Sequence, residues 1–173
     1  MGEKIGAFRA IMACLLTVAL VACATVSTTT LESQSKQHDP RLARLYFIWP
    51  RSMMMKTGTL DIKVNGEVVG KLATDSYFFI DRKPGTYTLR VEPPFDFTYF
   101  EADVQIAAGR THYYSINMRT TVAPLSGGGF VAINPTPTTG TPIEAKNGTL
   151  ATYKLRTMDA AAAAAAMKEV DAR

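Results

Sequence analysis

The chain has 173 residues, 47% of them hydrophobic, with 19 basic against 15 acidic side chains and only two cysteines. No basic run is longer than Arg82-Lys83, and removing Lys4, Arg9 and Glu3 with a leader leaves 17 basic against 14 acidic residues, which excludes a nucleic-acid footprint. With Cys14 inside an apolar leader and Cys23 at its end, neither a disulfide framework nor a thiolate metal cluster can be built, so the core alone must hold the fold.

Residues 1–22 read as a signal peptide, because Lys4 and Arg9 precede an apolar run from Ala10 to Ala22. The run is shorter than the ~20 apolar residues that cross ~30 Å of hydrocarbon. Leu20-Val21-Ala22-Cys23 resembles the lipobox of bacterial lipoproteins. That resemblance implies cleavage between Ala22 and Cys23, a covalent lipid on Cys23 and a membrane anchor. Ala24 is not the aspartate that commonly marks inner-membrane retention, so the expected address is the bacterial cell envelope, at the outer membrane and on its periplasmic face. Ala22-Cys23-Ala24 also fits the small-x-small pattern of ordinary secretory cleavage, which would release a soluble chain.

Residues 23–40 are polar and small, and are expected to form a flexible tether with an r.m.s. span of roughly 20 to 25 Å over the stretch from Ala24 to Pro40. A β-rich domain is expected over 41–119. At about 150 residues, the chain beyond the leader is long enough for a single domain that buries ~70% of its unfolded surface. Leu42 to Trp49 reads as a first strand, stopped by Pro50. Leu60, Ile62 and Val64 alternate with Asp61 and Lys63; Asn65-Gly66 supplies a type I′ turn, and Glu67 to Leu72 returns as the partner strand. Tyr77 to Ile80, Thr86 to Val91, Tyr99 to Ala107 and Thr111 to Met118 follow, separated by Pro84-Gly85, Pro93-Pro94 and Gly109. The expected fold is all-β, a small antiparallel β-sandwich of about seven to nine strands. Parallel βαβ topology is not expected, because no helical pattern separates the strands.

Residues 120–156 form a Gly/Pro/Thr-rich extension in which Phe130 to Ile133 and Thr149 to Leu155 are candidate strands. Residues 157–173 should close the chain as an Ala-rich α-helix, capped by Thr157 or Asp159 and lying as a strap on the domain or reaching a partner.

Ala43 to Pro50, Ile62 to Leu72, Tyr77-Phe78, Pro84-Gly85 and Tyr113-Tyr114 resemble, in order and spacing, the bacterial lipoprotein family that carries the domain of unknown function 2846. The turn glycines and core alternation also resemble PEGA-type surface modules, which are small β-sandwiches. The resemblance covers about 41–119 and implies a fold; it brings no catalytic residue.

Catalytic signatures are missing from the residues themselves. His38 and His112 have no His-Glu-x-x-His spacing, Ser126-Gly127-Gly128-Gly129 lacks the Lys-Ser/Thr of a P-loop, and no Gly-x-Ser-x-Gly elbow occurs. Asp75, Asp81, Asp96, Glu101 and Asp103 could in principle pair for acid/base work, but turns and strand ends are ordinary sites for solvated carboxylates. An aromatic set that includes Tyr46, Phe47, Trp49, Tyr77, Phe79, Tyr99 and Phe100 could form a platform for sugar or peptide, although most should be core. The expected exposed members, and hence the candidate binding surface, are Trp49, Phe95 and Phe97 with the loop methionines Met53, Met54 and Met55. The resulting expectation is a non-enzymatic, lipid-anchored interaction or structural module, without cofactor or metal, that meets an envelope protein or peptidoglycan. The alternative is a small-ligand or glycan-binding module.

Overall fold

The computed structural model describes residues 27–50, 58–94, 98–118, 121–124, 130–133, 140–146 and 152–172. Twelve strands and one helix are described, in the order β1 (Thr29–Thr30), β2 (Ala43–Trp49), β3 (Thr59–Val64), β4 (Glu67–Ala73), β5 (Ser76–Arg82), β6 (Gly85–Glu92), β7 (Phe100–Ile106), β8 (Thr111–Met118), β9 (Thr121–Pro124), β10 (Phe130–Ile133), β11 (Thr141–Pro142), β12 (Tyr153–Met158) and α1 (Ala160–Asp171). Two five-stranded sheets, ordered β1-β4-β3-β6-β7 and β11-β12-β8-β2-β5, carry the fold, and β9 with β10 forms a separate two-stranded ribbon. The all-β sandwich with a helix near its end is therefore the architecture. One pairing departs from the antiparallel expectation, since β2 runs parallel to β8. The chain leaves β2, visits the other sheet twice and returns through β8, so this parallel pair needs no crossover helix.

Local chemistry accounts for the strand boundaries. Asn65 at φ 51° and Gly66 at φ 87° make the expected hairpin turn between β3 and β4. The Asn65 side chain then accepts from the Thr88 amide at 2.9 Å, stitching that turn to β6. At Gly70 a side chain is impossible without rearrangement, because a Cβ there would stand 2.8 Å from the Thr29 carbonyl oxygen and 2.9 Å from the Phe78 ring. Glycine is what lets β1 and a core aromatic ring both approach β4.

Alternation sets the core. Leu45, Phe47 and Trp49 of β2, Phe78 and Ile80 of β5, Tyr114 and Ile116 of β8, and Tyr153 and Leu155 of β12 face Leu60, Ile62, Leu72, Leu89, Val91 and Ala102 of the other sheet. The outer face of the β3-side sheet is a solvated charge ladder, with Lys63 2.7 Å and Arg90 3.1 Å from Glu92. The outer face of the β2-side sheet is instead covered. Ile48, Met158 and Ala163 form a second apolar cluster there, with Tyr46, Tyr77, Tyr113, Ala166 and Met167 around it. A short alanine-rich helix is marginal alone in water, so this packing holds α1 in place. Asp159 caps it, accepting from the Ala162 amide at 2.7 Å.

Two expectations change. Residues 28–37 do not stand off the domain as a tether. Thr29 and Thr30 pair with Lys71 and Gly70, Glu32 pairs with Arg82, and the Gln34 amide binds both main-chain groups of Phe79, at 2.8 and 3.0 Å. Such a segment satisfies an otherwise open strand edge. Second, β12 is an integral strand beside β8, so the folded unit continues past residue 119.

Candidate functional site

The outward-facing residues of β2, β5 and β8 converge on one patch, because cross-strand partners share a face. Tyr46 is registered with Phe79 on one side and Tyr113 on the other. Its ring centroid lies 5.2 Å from Phe79, 5.3 Å from Tyr113 and 6.3 Å from Tyr77. A row of aromatic rings thus crosses the sheet at right angles to the strands.

Along the strand direction, one side of the patch is locked by Arg44, whose side chain is only 6% exposed. Its Nε and Nη2 each donate to the Asp81 carboxylate at 2.8 Å, and the guanidinium sits 4.0 Å over the Phe79 ring. The same group donates to the main-chain oxygens of Lys36 and Gln37, pinning the entering segment beside the rings. Hydrogen bonds from Arg44 hold the Asp81 carboxyl below its usual range.

On the opposite side of the patch along β5 the Tyr77 hydroxyl donates to Asp171 at 3.1 Å, which ties the last turn of α1 to β5. Burial, then the Asp171 carboxylate, push the Tyr77 phenol up, and burial does the same to Tyr113, so both remain neutral donors at physiological pH. Between these ties lies an open cleft of about 430 Å³, floored by Tyr46, Tyr77 and Phe79 and walled by Gln34 and Lys36 on one side and Asp171 on the other. A hollow of about 540 Å³ on the opposite flank of α1 is larger, but it is lined chiefly by alanine methyls and Pro50, with Lys168 and Glu169 as its charged groups, and offers few groups for recognition.

Rings, a carboxylate, an amide and an ammonium can stack on and hydrogen-bond to a ligand. Among the described residues no cluster of three or more His, Cys, Asp or Glu could hold a metal ion. Asp81 is tied to Arg44, and Asp103 accepts from Thr88 and Lys146, which also lowers its carboxyl. A general acid would need the opposite shift. His112 lies half-buried on β8 with its ring parallel to that of Tyr114.

The expected site residues fare differently. Trp49 is not exposed. It is fully buried on the inner face of β2, edge-on to Tyr153 at 5.6 Å, because β2 lies between β8 and β5 and Trp49 is on the side that packs into the core between the two sheets. Ala22, Cys23, Met53, Met54, Met55, Phe95 and Phe97 lie outside the described residues. Within the wider aromatic set, Phe47 and Phe100 are core, Tyr99 lies under the Arg90 guanidinium at 3.5 Å, and Tyr46, Tyr77 and Phe79 floor the cleft. Arg44 and Tyr113 carry the family resemblance but were not expected at a site, and neither were Gln34 and Asp171. The Arg44/Tyr46 and Tyr77/Phe79 pairs, each at a spacing of two, were the available sign of a shared outer face.

A family model described as a protein of unknown function (DUF2846) matches residues 40–130, more than half of the chain. The chain belongs to the DUF2846 family. No curated protein and no solved structure matches it. The strands that floor the cleft lie within the matched DUF2846 residues, whereas Gln34, Lys36 and Asp171, which wall it, lie outside them. The DUF2846 match therefore describes the sheet platform, and this chain supplies the walls from segments on either side.

Proposed function

We propose that this DUF2846 protein is a lipid-anchored lipoprotein of the bacterial cell envelope, held through Cys23 at the periplasmic face of the outer membrane. In this reading its sandwich is a binding module and not an enzyme. The cleft between the entering segment and α1 is the recognition site, and its ligand is a small polar molecule or glycan segment of the envelope.

The observation that carries this reading is the combination on one face of clustered aromatic rings with convergent polar groups: Tyr77, Gln34, Lys36 and Asp171 around Tyr46. Aromatic faces with a few fixed donors and acceptors suit a ligand that is apolar on one side and hydroxyl-rich on its rim. Strand addition by a protein partner finds less support at the β4 and β5 edges, where Thr28 to Gln34 already occupies main-chain groups of Val69, Gly70, Lys71, Ala73 and Phe79.

The test is a titration of the processed chain with soluble peptidoglycan fragments and envelope oligosaccharides, followed by NMR shifts of the tyrosine rings. Lys36→Ala and Tyr77→Phe change the wall and floor without touching the core, and each should weaken binding by about tenfold with the far-UV spectrum unchanged. Absence of any glycan binding, together with whole-cell crosslinks to a protein partner through another face, would overturn the ligand reading.

A further inference from the structure

The docking of residues 28–37 changes what an anchor at Cys23 implies. Thr28 accepts from the Ala73 amide at 2.9 Å, Thr29 and Thr30 pair with β4, and the Leu31 amide donates to Val69 at 3.2 Å. Four residues, Ala24 to Ser27, separate Cys23 from Thr28. That stretch of backbone reaches at most about 17 Å even when fully extended. A domain on so short a lead stays close to the bilayer: its β1–β4 edge can stand no more than about 10 Å beyond a headgroup layer that is itself about 5 to 8 Å deep, and it meets that layer whenever the lead is less than fully extended.

That edge has the matching chemistry. Among the described residues only two large hydrophobic side chains are exposed, Leu31 at 79% and Val68 at 38%. Both belong to this edge: the Leu31 amide bonds to the Val69 carbonyl, one residue along β4 from Val68. A single exposed leucine is ordinary on a protein surface. Two on the one edge that follows the lipid-bearing residue are a local concentration.

We propose that the β1–β4 edge is a phospholipid-contact surface, in which Leu31 and Val68 enter the headgroup region beside the acyl chains on Cys23 and fix the orientation of the sandwich on the membrane. The inference rests on lipid anchoring through Cys23. The opposite edge of that sheet, β7, lies four strand spacings away, about 19 Å, and faces the aqueous side.

The full chain is expressed in bacteria, purified from membranes, and placed in vesicles of phosphatidylethanolamine and phosphatidylglycerol carrying a shallow nitroxide quencher. An environment-sensitive fluorophore is attached at Leu31→Cys or at Gln105→Cys, both exposed positions, and intact mass establishes acylation of Cys23. The label at Leu31→Cys should emit at shorter wavelength and be quenched about threefold more than the label at Gln105→Cys. Equal quenching on an acylated chain would refute the contact surface and leave the anchor standing. An unacylated chain would refute the anchor, and the inference with it.

Discussion

Replacing Arg44 by methionine keeps much of the side-chain volume and removes the fork that joins three parts of the molecule. The loss comprises two charge-assisted bonds to Asp81 at 2.8 Å, two bonds to the carbonyls of Lys36 and Gln37, and the stack on Phe79 at 4.0 Å. A fully buried pair broken on one side costs about 3 to 5 kcal/mol. The Asp81 side chain is 26% exposed and can recover some water, which lowers the expected cost of Arg44→Met to about 2 to 3 kcal/mol. Denaturant unfolding followed by Trp49 fluorescence measures it, since that indole is fully buried. The cycle with Asp81→Asn should give a coupling of about 1 to 2 kcal/mol.

The pH dependence has a definite sign. Arg44 depresses the folded-state pKa of Asp81, so its contribution is complete above the unfolded carboxylate pKa near 3.8 and is lost as pH falls through the lower folded value. Arg44→Met should lack that acid limb. A variant within about 0.5 kcal/mol of the parent, with the acid limb intact, would refute the keystone role of Arg44.

Two further outcomes separate structural from surface roles. Trp49→Ala should cost about 3 to 5 kcal/mol by denaturant unfolding monitored by circular dichroism, because it opens a cavity beside Tyr153; an exposed recognition residue would leave stability unchanged. Burial, with a smaller contribution from Arg110, holds the His112 imidazole below its usual range, so the neutral form supports the fold. Stability should be complete above about pH 6.5 and decline as acidification protonates this ring, a decline that His112→Phe should lack in thermal unfolding between pH 7 and 5.

Much of the fold was legible because its signals are local. Alternation in Leu60, Ile62 and Val64, the Asn65-Gly66 turn and the prolines around Val91 mark strands and ends within a few residues of themselves. The cleft was only partly legible. Tyr46, Tyr77 and Phe79 belonged to a recognisable aromatic set, but β2 reads Ala43-Arg44-Leu45-Tyr46-Phe47-Ile48-Trp49, and all but Tyr46 of these are buried. A strand covered on both faces carries no alternation to say which side meets solvent. Hence Trp49 looked as available as Tyr46.

The sequence by itself determined the β-rich class, the turns, the capped alanine helix and the family of the platform, since each depends on residue type and short spacing. Tertiary structure alone decided which aromatic face α1 covers and where the polar segment 28–37 goes. Those outcomes depend on partners far apart in the chain, such as Gln34 with Phe79 at a separation of 45 residues and Tyr77 with Asp171 at 94. A polar segment can pair with an open strand edge through its own backbone and side-chain amide, so its composition reads as tether whether or not it docks. Only the assembled edge, presenting unpaired main-chain groups at the right place, turns that stretch into part of the fold.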